Sequence, residues 1–161
     1  MRIMTPERFR RIRAILDRRQ PDLTVLLENV HKPHNFAAVA RTCDAVGILD
    51  AHAVYPDGRI PRRLAAGAGA ERWLELHAHP DVATAVRRLR AEGLRLVAAH
   101  PAPDAVDFRE VDFTRPTALL LGQEKDGLSD EALAAADQVV AIPMLGAGLS
   151  LNVSVAAALV L

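Results

Sequence analysis

Residues 23–55, LTVLLENVHKPHNFAAVARTCDAVGILDAHAVY, decide the fold class. Leu23 to Leu27 is a short apolar run rich in strand formers, bounded by Pro21 and by the polar Glu28 to Pro33 loop, so it reads as a core strand. Asn35 to Val46 is helical in composition and closes on Gly47, the residue type that most readily takes a left-handed C-terminal cap. Ala51 to Tyr55 then forms a second short strand. Together they make one β-α-β unit.

The alternation continues outward. Asp81 to Glu92 reads as a helix capped by Gly93, Leu94 to Ala99 as a strand, and Thr117 to Leu121 as another buried strand. Ser129 caps a helix running to about Ala136, and Val139 to Ile142 is a further strand. Strands alternating with helices of this length imply an α/β fold, a mostly parallel sheet with helices on both faces. From Pro56 to Ala70 the pattern is lost in a stretch holding Pro56, Gly58, Pro61, Gly67 and Gly69, long enough to be a functional loop. The apolar run Val153 to Leu161 stops with no glycine, cap or polar tail, which predicts that a C-terminal helix is truncated there.

The 161 residues suit one ordinary domain, half of them apolar and a quarter charged, which excludes disordered and fibrous classes. Cys43 is the only cysteine, so an internal disulfide and a cysteine-cluster zinc site are both excluded. Neither a signal peptide nor an apolar run long enough to span a membrane is visible, and the expected compartment is the cytoplasm. The formal net charge is zero, but it is unevenly spread. Seven arginines against Glu7 and Asp17 leave residues 1–20 at +5 and the remainder at −5. Thr5, Pro6 and Glu7 open a helix there, with Phe9, Ile12, Ile15 and Leu16 on one face. Two parts follow, a basic N-terminal helix over 1–20 and the main domain over 21–161. The basic helix is a candidate surface for phosphate or a solvated face, and charge alone leaves both open.

Several residues invite two readings. Arg41 follows the apolar run Phe36 to Ala40, where a charge needs a partner or a solvent-facing cleft; pairing with Asp44 at i+3 would satisfy it equally well. Asn35 can cap its helix or serve a site. Gly122 and Glu124 follow the Thr117 to Leu121 strand, the usual place for a ligand crevice in an open parallel sheet, although Gly122 alone could be a turn residue. Ser150 and Asn152 can cap the final helix. His31, His34, His77 and His79 have no cysteine or carboxylate cluster at metal-ligand spacing, so no metal is expected. The GAGAER stretch at 67–72 lacks the third glycine of a dinucleotide fingerprint.

Three blocks, LLENVHKPHNFAAVARTCDAVGI at 26–48, LLLGQEKDGLS at 119–129 and IPMLGAGLSLNVSVAAA at 142–158, resemble the three motifs of the SpoU/TrmH methyltransferases in their order and spacing. The basic helix before the first block resembles that of the branch that methylates guanosine in the tRNA D-loop. The resemblance implies the SPOUT fold, whose C-terminal part forms a trefoil knot, and a homodimer with the active site near its interface. It further implies S-adenosylmethionine as methyl donor and tRNA, or another structured RNA, as substrate. Carried over position by position, it makes Asn35, Arg41, Glu124, Ser150 and Asn152 catalytic. Ala99, Leu121, Gly122, Ile142, Met144, Ser150, Leu151 and Asn152 would bind the cofactor, and Arg8, Arg11, Arg19 and Lys32 the RNA. Lys125 is expected to be a solvated charge. Pro61 to Ala70 is more Arg- and Ala-rich than the family pattern, which bears on the nucleoside target. A ribosomal-RNA 2′-O-methyltransferase and a non-catalytic RNA-binding module are the competing expectations.

Overall fold

The computed structural model describes residues 4–61, 64 and 73–161. Its centre is β1 (Leu23–Glu28), whose residues from Thr24 onward are all buried. Around it lie β2 (Asp50–Val54), β3 (Glu75–His79), β4 (Arg95–Ala99), β5 (Val106–Asp107), β6 (Thr117–Leu121) and β7 (Gln138–Ala141). They form one seven-stranded sheet in the order β3-β2-β1-β6-β4-β7-β5, every pair parallel. Parallel neighbours need crossovers, and among the described residues helices follow β1, β3 and β6.

Side-chain alternation along the strands divides the core into two layers. Val25, Leu27, Ala53, Val97, Leu119 and Leu121 pack beneath α2 (Pro33–Val46) and α5 (Val153–Val160). Leu26, Val54, Leu96, Ala98, Ala118 and Leu120 face α3 (Val82–Ala91) and α4 (Asp130–Ala135). Each fully buried leucine contributes about 1.5–3 kcal/mol relative to exposure. Leu119, at 0 % exposure in the middle of β6, is therefore a place where truncation to alanine costs about 2–5 kcal/mol.

Local chemistry sets the helix ends. Asp81 caps α3 by accepting from the Thr84 N–H at 2.7 Å, and Ser129 caps α4 through the Ala132 N–H at 3.2 Å. The first helix, α1 (Pro6–Leu16), is capped by Thr5 as expected but buries none of its residues, so Phe9 and Leu16 remain exposed. Gly47 ends α2 at φ 89°, and a Cβ there would lie 2.5 Å from the Arg18 carbonyl oxygen. Only glycine permits the segment after α1 to pass so close.

The structure corrects the sequence reading in four places. Asn35 does not cap α2: the helix begins two residues earlier, with Lys32 at the cap position and Pro33 in the first turn. Strands β3 and β5 were not foreseen, the first because only Leu76 and Ala78 of its five residues are apolar and the second because it is two residues long. Arg19 is not available to solvent, as its side chain is only 7 % exposed. Of the expected Pro56 to Ala70 loop, 56–61 and 64 are described and the rest lies outside the described residues, as does all of GAGAER.

Candidate active site

The carboxyl ends of β4, β6 and β7 are neighbours in the sheet, with Ala99 opposite both Leu121 and Val140. Above them a cavity of ≈ 230 Å³ opens between the loops that leave these strands. Ala99, Leu121 and Gly122 line its floor, and Ile142, Met144, Ser150 and Leu151 line the returning segment. Seven residues expected to bind a cofactor therefore share one cavity. Glu124 lines it as well, while Asn152 lies beside it. His100, Gln123, Asp126, Gly127 and Ala156 also line the cavity, and sequence reasoning missed them. Their signal was positional: His100 directly follows β4, and the other loop residues sit within the second motif.

Gly122 has a more local task than close approach to a ligand. A Cβ on it would lie 2.1–2.3 Å from backbone atoms of Gly127 and Leu128, closer than any real contact. The 122–128 loop folds back on itself, with Gln123 and Gly127 exchanging backbone hydrogen bonds of 3.1 and 3.0 Å. Gly127 adopts φ 72° at the turn. Buried Glu28, ending β1, anchors the far side of the loop by accepting from the Ser129 N–H at 2.9 Å. The rim of the cavity is thus tied to the central strand. Lys125 is exposed, as expected.

Three of the expected catalytic residues meet in one chain of hydrogen bonds. Asn35, 1 % exposed near the start of α2, donates through Nδ2 to Glu124 Oε1. It accepts at Oδ1 from Asn152 Nδ2 at 3.1 Å. The Asn152 Oδ1 in turn accepts from the Ser154 N–H at 2.8 Å and from its hydroxyl at 2.7 Å, which makes Asn152 the cap of α5. Both ends of each amide are used, so the array has one direction and finishes on a carboxylate at the cavity. Ser150 is exposed at the cavity wall and does not cap α5.

Arg41 is not part of this array. Six residues after Asn35, it lies roughly 240° further round α2, on the exposed side. The Asp44 carboxylate is held by Arg19 instead, whose Nη2 donates to Oδ1 at 2.6 Å while Nη1 reaches the Ile48 carbonyl at 3.0 Å. Arg19 therefore fastens the end of α1 to the end of α2. Arg8, Arg11 and Lys32 are exposed.

The chain is 57% identical over 161 residues to the tRNA (guanosine(18)-2'-O)-methyltransferase of Thermus thermophilus, covering 100% of this chain and 83% of that protein. The crystal structure of an A. aeolicus TrmH/SpoU tRNA modifying enzyme superposes with a TM-score of 0.84 at 37% identity, over 96% of this chain and 79% of that one. The SpoU methyltransferase AviRb from Streptomyces viridochromogenes, solved with AdoMet, matches at a TM-score of 0.76 and 28% identity, over 88% of this chain and 58% of that one. Residues 22–161, which include all three motifs, match the model of the SpoU rRNA Methylase family, and the chain belongs to that family.

Proposed function

We propose that this chain transfers the methyl group of S-adenosylmethionine to the 2′-hydroxyl of a guanosine ribose in the D-loop of tRNA. The observation that carries the reading is the Asn152–Asn35–Glu124 array, which joins all three motifs at the wall of one cavity. The named activity of a relative of 57% identity over the full chain supports the tRNA substrate.

The cavity suits such a donor. Leu121, Ile142, Leu151 and Ala156 offer apolar walls to a flat base, and Glu124 and Asp126 bring negative charge toward a sulfonium cation. When bound, the cofactor supplies an activated methyl with a neutral thioether as leaving group. What remains for the protein is to align the ribose hydroxyl and assist the loss of its proton. Asn35 and Asn152 hold the Glu124 carboxylate in place. Exposed Arg41 addresses the ribose hydroxyl and its neighbouring phosphate through its planar fork. Arg41 takes the activating role at that hydroxyl, whose proton leaves to solvent as the methyl is transferred.

The trefoil knot, the homodimer and the cytoplasmic setting belong to the same reading. Insertion of β7 between β4 and β5, followed by return of the chain to α5 on α2, supports a knotted C-terminal part. Exposed Leu145, Leu149, Val155 and Leu159 support a covered face around α5. Among the described residues no helix is long and apolar enough to cross a membrane. The basic 1–20 segment, with Arg8 and Arg11 outward, and Lys32 within the first motif provide the RNA contacts, and residues 21–161 form the catalytic domain.

The test is transfer of radioactive methyl to total tRNA and to ribosomal RNA, followed by nucleoside mapping. Label confined to 2′-O-methylguanosine in tRNA is the expected result. Label in ribosomal RNA alone would reassign the substrate, and no transfer to either would leave an RNA-binding module.

A further inference from the structure

At the edge of the sheet away from the cavity, β2 and β3 carry a second group of ionisable side chains. Asp50 and Glu75 are the first residues of these strands and are direct register partners. Like charges placed opposite one another on adjacent strands repel. His77 stands on the same face, with Nε2 2.9 Å from Asp50 Oδ1 and 4.0 Å from Glu75 Oε1. The three donor atoms lie within 4.8 Å of one another. Sequence spacing gave His77 no carboxylate partners, because Asp50 and Glu75 reach it through the sheet register.

The imidazole is held in place. Its ring stacks on that of His52, 2 % exposed, at a centroid distance of 4.9 Å and 25°. His52 is fixed in turn by a 2.9 Å ring-nitrogen contact with His79. Arg88 of α3, whose charge reaches this face, is paired with Glu92.

We propose that Asp50, Glu75 and His77 bind a divalent transition cation of the zinc class. Imidazole beside two carboxylates selects for such cations over magnesium or calcium, which prefer oxygen alone. Zinc bonds of about 2.0–2.2 Å to nitrogen and oxygen place tetrahedral ligand atoms about 3.4 Å apart. The observed 2.9 and 4.0 Å bracket that value. The Glu75 side chain, 73 % exposed, is free to make the remaining adjustment, and water takes the fourth position. The cation displaces the proton between His77 and Asp50 and removes the carboxylate repulsion. Its role is to clamp β3, the edge strand, onto β2. With β1 between β2 and β6, whose end forms part of the cavity floor, the site lies about 10 Å across the sheet from the cavity and at the opposite strand ends. It is therefore independent of methyl transfer.

The experiment titrates zinc chloride into the chelator-stripped full chain, read by calorimetry and by native mass spectrometry. A single equivalent is expected to bind, with a rise in thermal midpoint. Asp50→Asn and Glu75→Gln should each weaken zinc at least tenfold, and the exposed Glu75 makes the second change safe for folding. A His31→Gln, His34→Gln double variant should bind as the unaltered chain does. Chelation should leave S-adenosylmethionine affinity unchanged, which separates failure here from failure of the methyltransferase reading. Absence of stoichiometric zinc binding, undiminished binding in both carboxylate variants, or loss of binding in the double histidine variant would each overturn the site.

Discussion

Arg41 and Asn35 share a helix but not a task. Asn35 is buried with both amide ends bonded, so Asn35→Ala removes two hydrogen bonds, each worth about 0.5–1.5 kcal/mol because half-buried Glu124 and exposed Asn152 can turn to water. Arg41 is exposed, and its loss should cost at most about 1 kcal/mol of stability. If it addresses the ribose hydroxyl, Arg41→Ala should lower single-turnover methyl transfer by about 10²–10⁴-fold while cofactor affinity stays within a few-fold. Arg41→Lys should restore little, because lysine keeps the charge but loses the fork. Single-turnover rates at saturating RNA and cofactor, measured beside thermal midpoints, decide the matter. Unchanged turnover in Arg41→Ala would remove Arg41 from the mechanism.

The loop over 122–128 and the short β7 show how elements depend on single atoms. Adding a methyl at Gly122 pushes against backbone, not a flexible side chain, so Gly122→Ala should open the loop. Calorimetry should show cofactor affinity reduced at least tenfold with the global thermal midpoint nearly unchanged; equal affinity would contradict the loop's role. At the start of β7, burial works against the Asp137 charge, but the Leu96 N–H at 2.7 Å and the Arg90 guanidinium outweigh it and hold the carboxyl below the ordinary range. A depressed folded value adds stability above the unfolded value of about 3.9, and that stability is lost as pH falls through the folded one. Asp137→Asn should therefore reduce the midpoint at neutral pH and flatten its decline under acid, as followed by circular dichroism. The strands and caps were legible where burial is simple: β1, β6 and the cap of α4 lie where apolar runs and Ser129 place them. Strand β3 was not, because its alternation rests on Leu76 and Ala78 alone, too little apolar surface to mark a strand in the sequence. The motifs pointed to Asn35, Glu124 and Asn152, yet their bonds join residues 89 and 117 positions apart, which no local spacing encodes. Nor could spacing foretell that Asp44 is taken by Arg19, 25 residues upstream.

For the molecule as a whole, the unbalanced feature is apolar surface. Leu145 is 102% exposed and Leu149 87%, and Val155 and Leu159 of α5 are about half exposed on the same C-terminal segment. Exposed apolar surface of this kind marks an interface. Sedimentation equilibrium at micromolar concentration without RNA should give twice the chain mass. Leu159→Lys should shift the population toward the single chain, and a stable monomer for the unaltered protein would refute the dimer.

The two asparagine bonds also bear on when activity appears during synthesis. Asn35 leaves the ribosome long before Glu124 and Asn152 exist, so no early fragment can rehearse the array. Closing a flexible loop of 117 residues costs about 4 kcal/mol of chain entropy, offset only once β6 has paired with β1 and α5 has docked on α2. Contacts this remote form late and slowly. A chain ending before Asn152 should therefore lack the array altogether, whatever share of its hydrophobic interior it has formed.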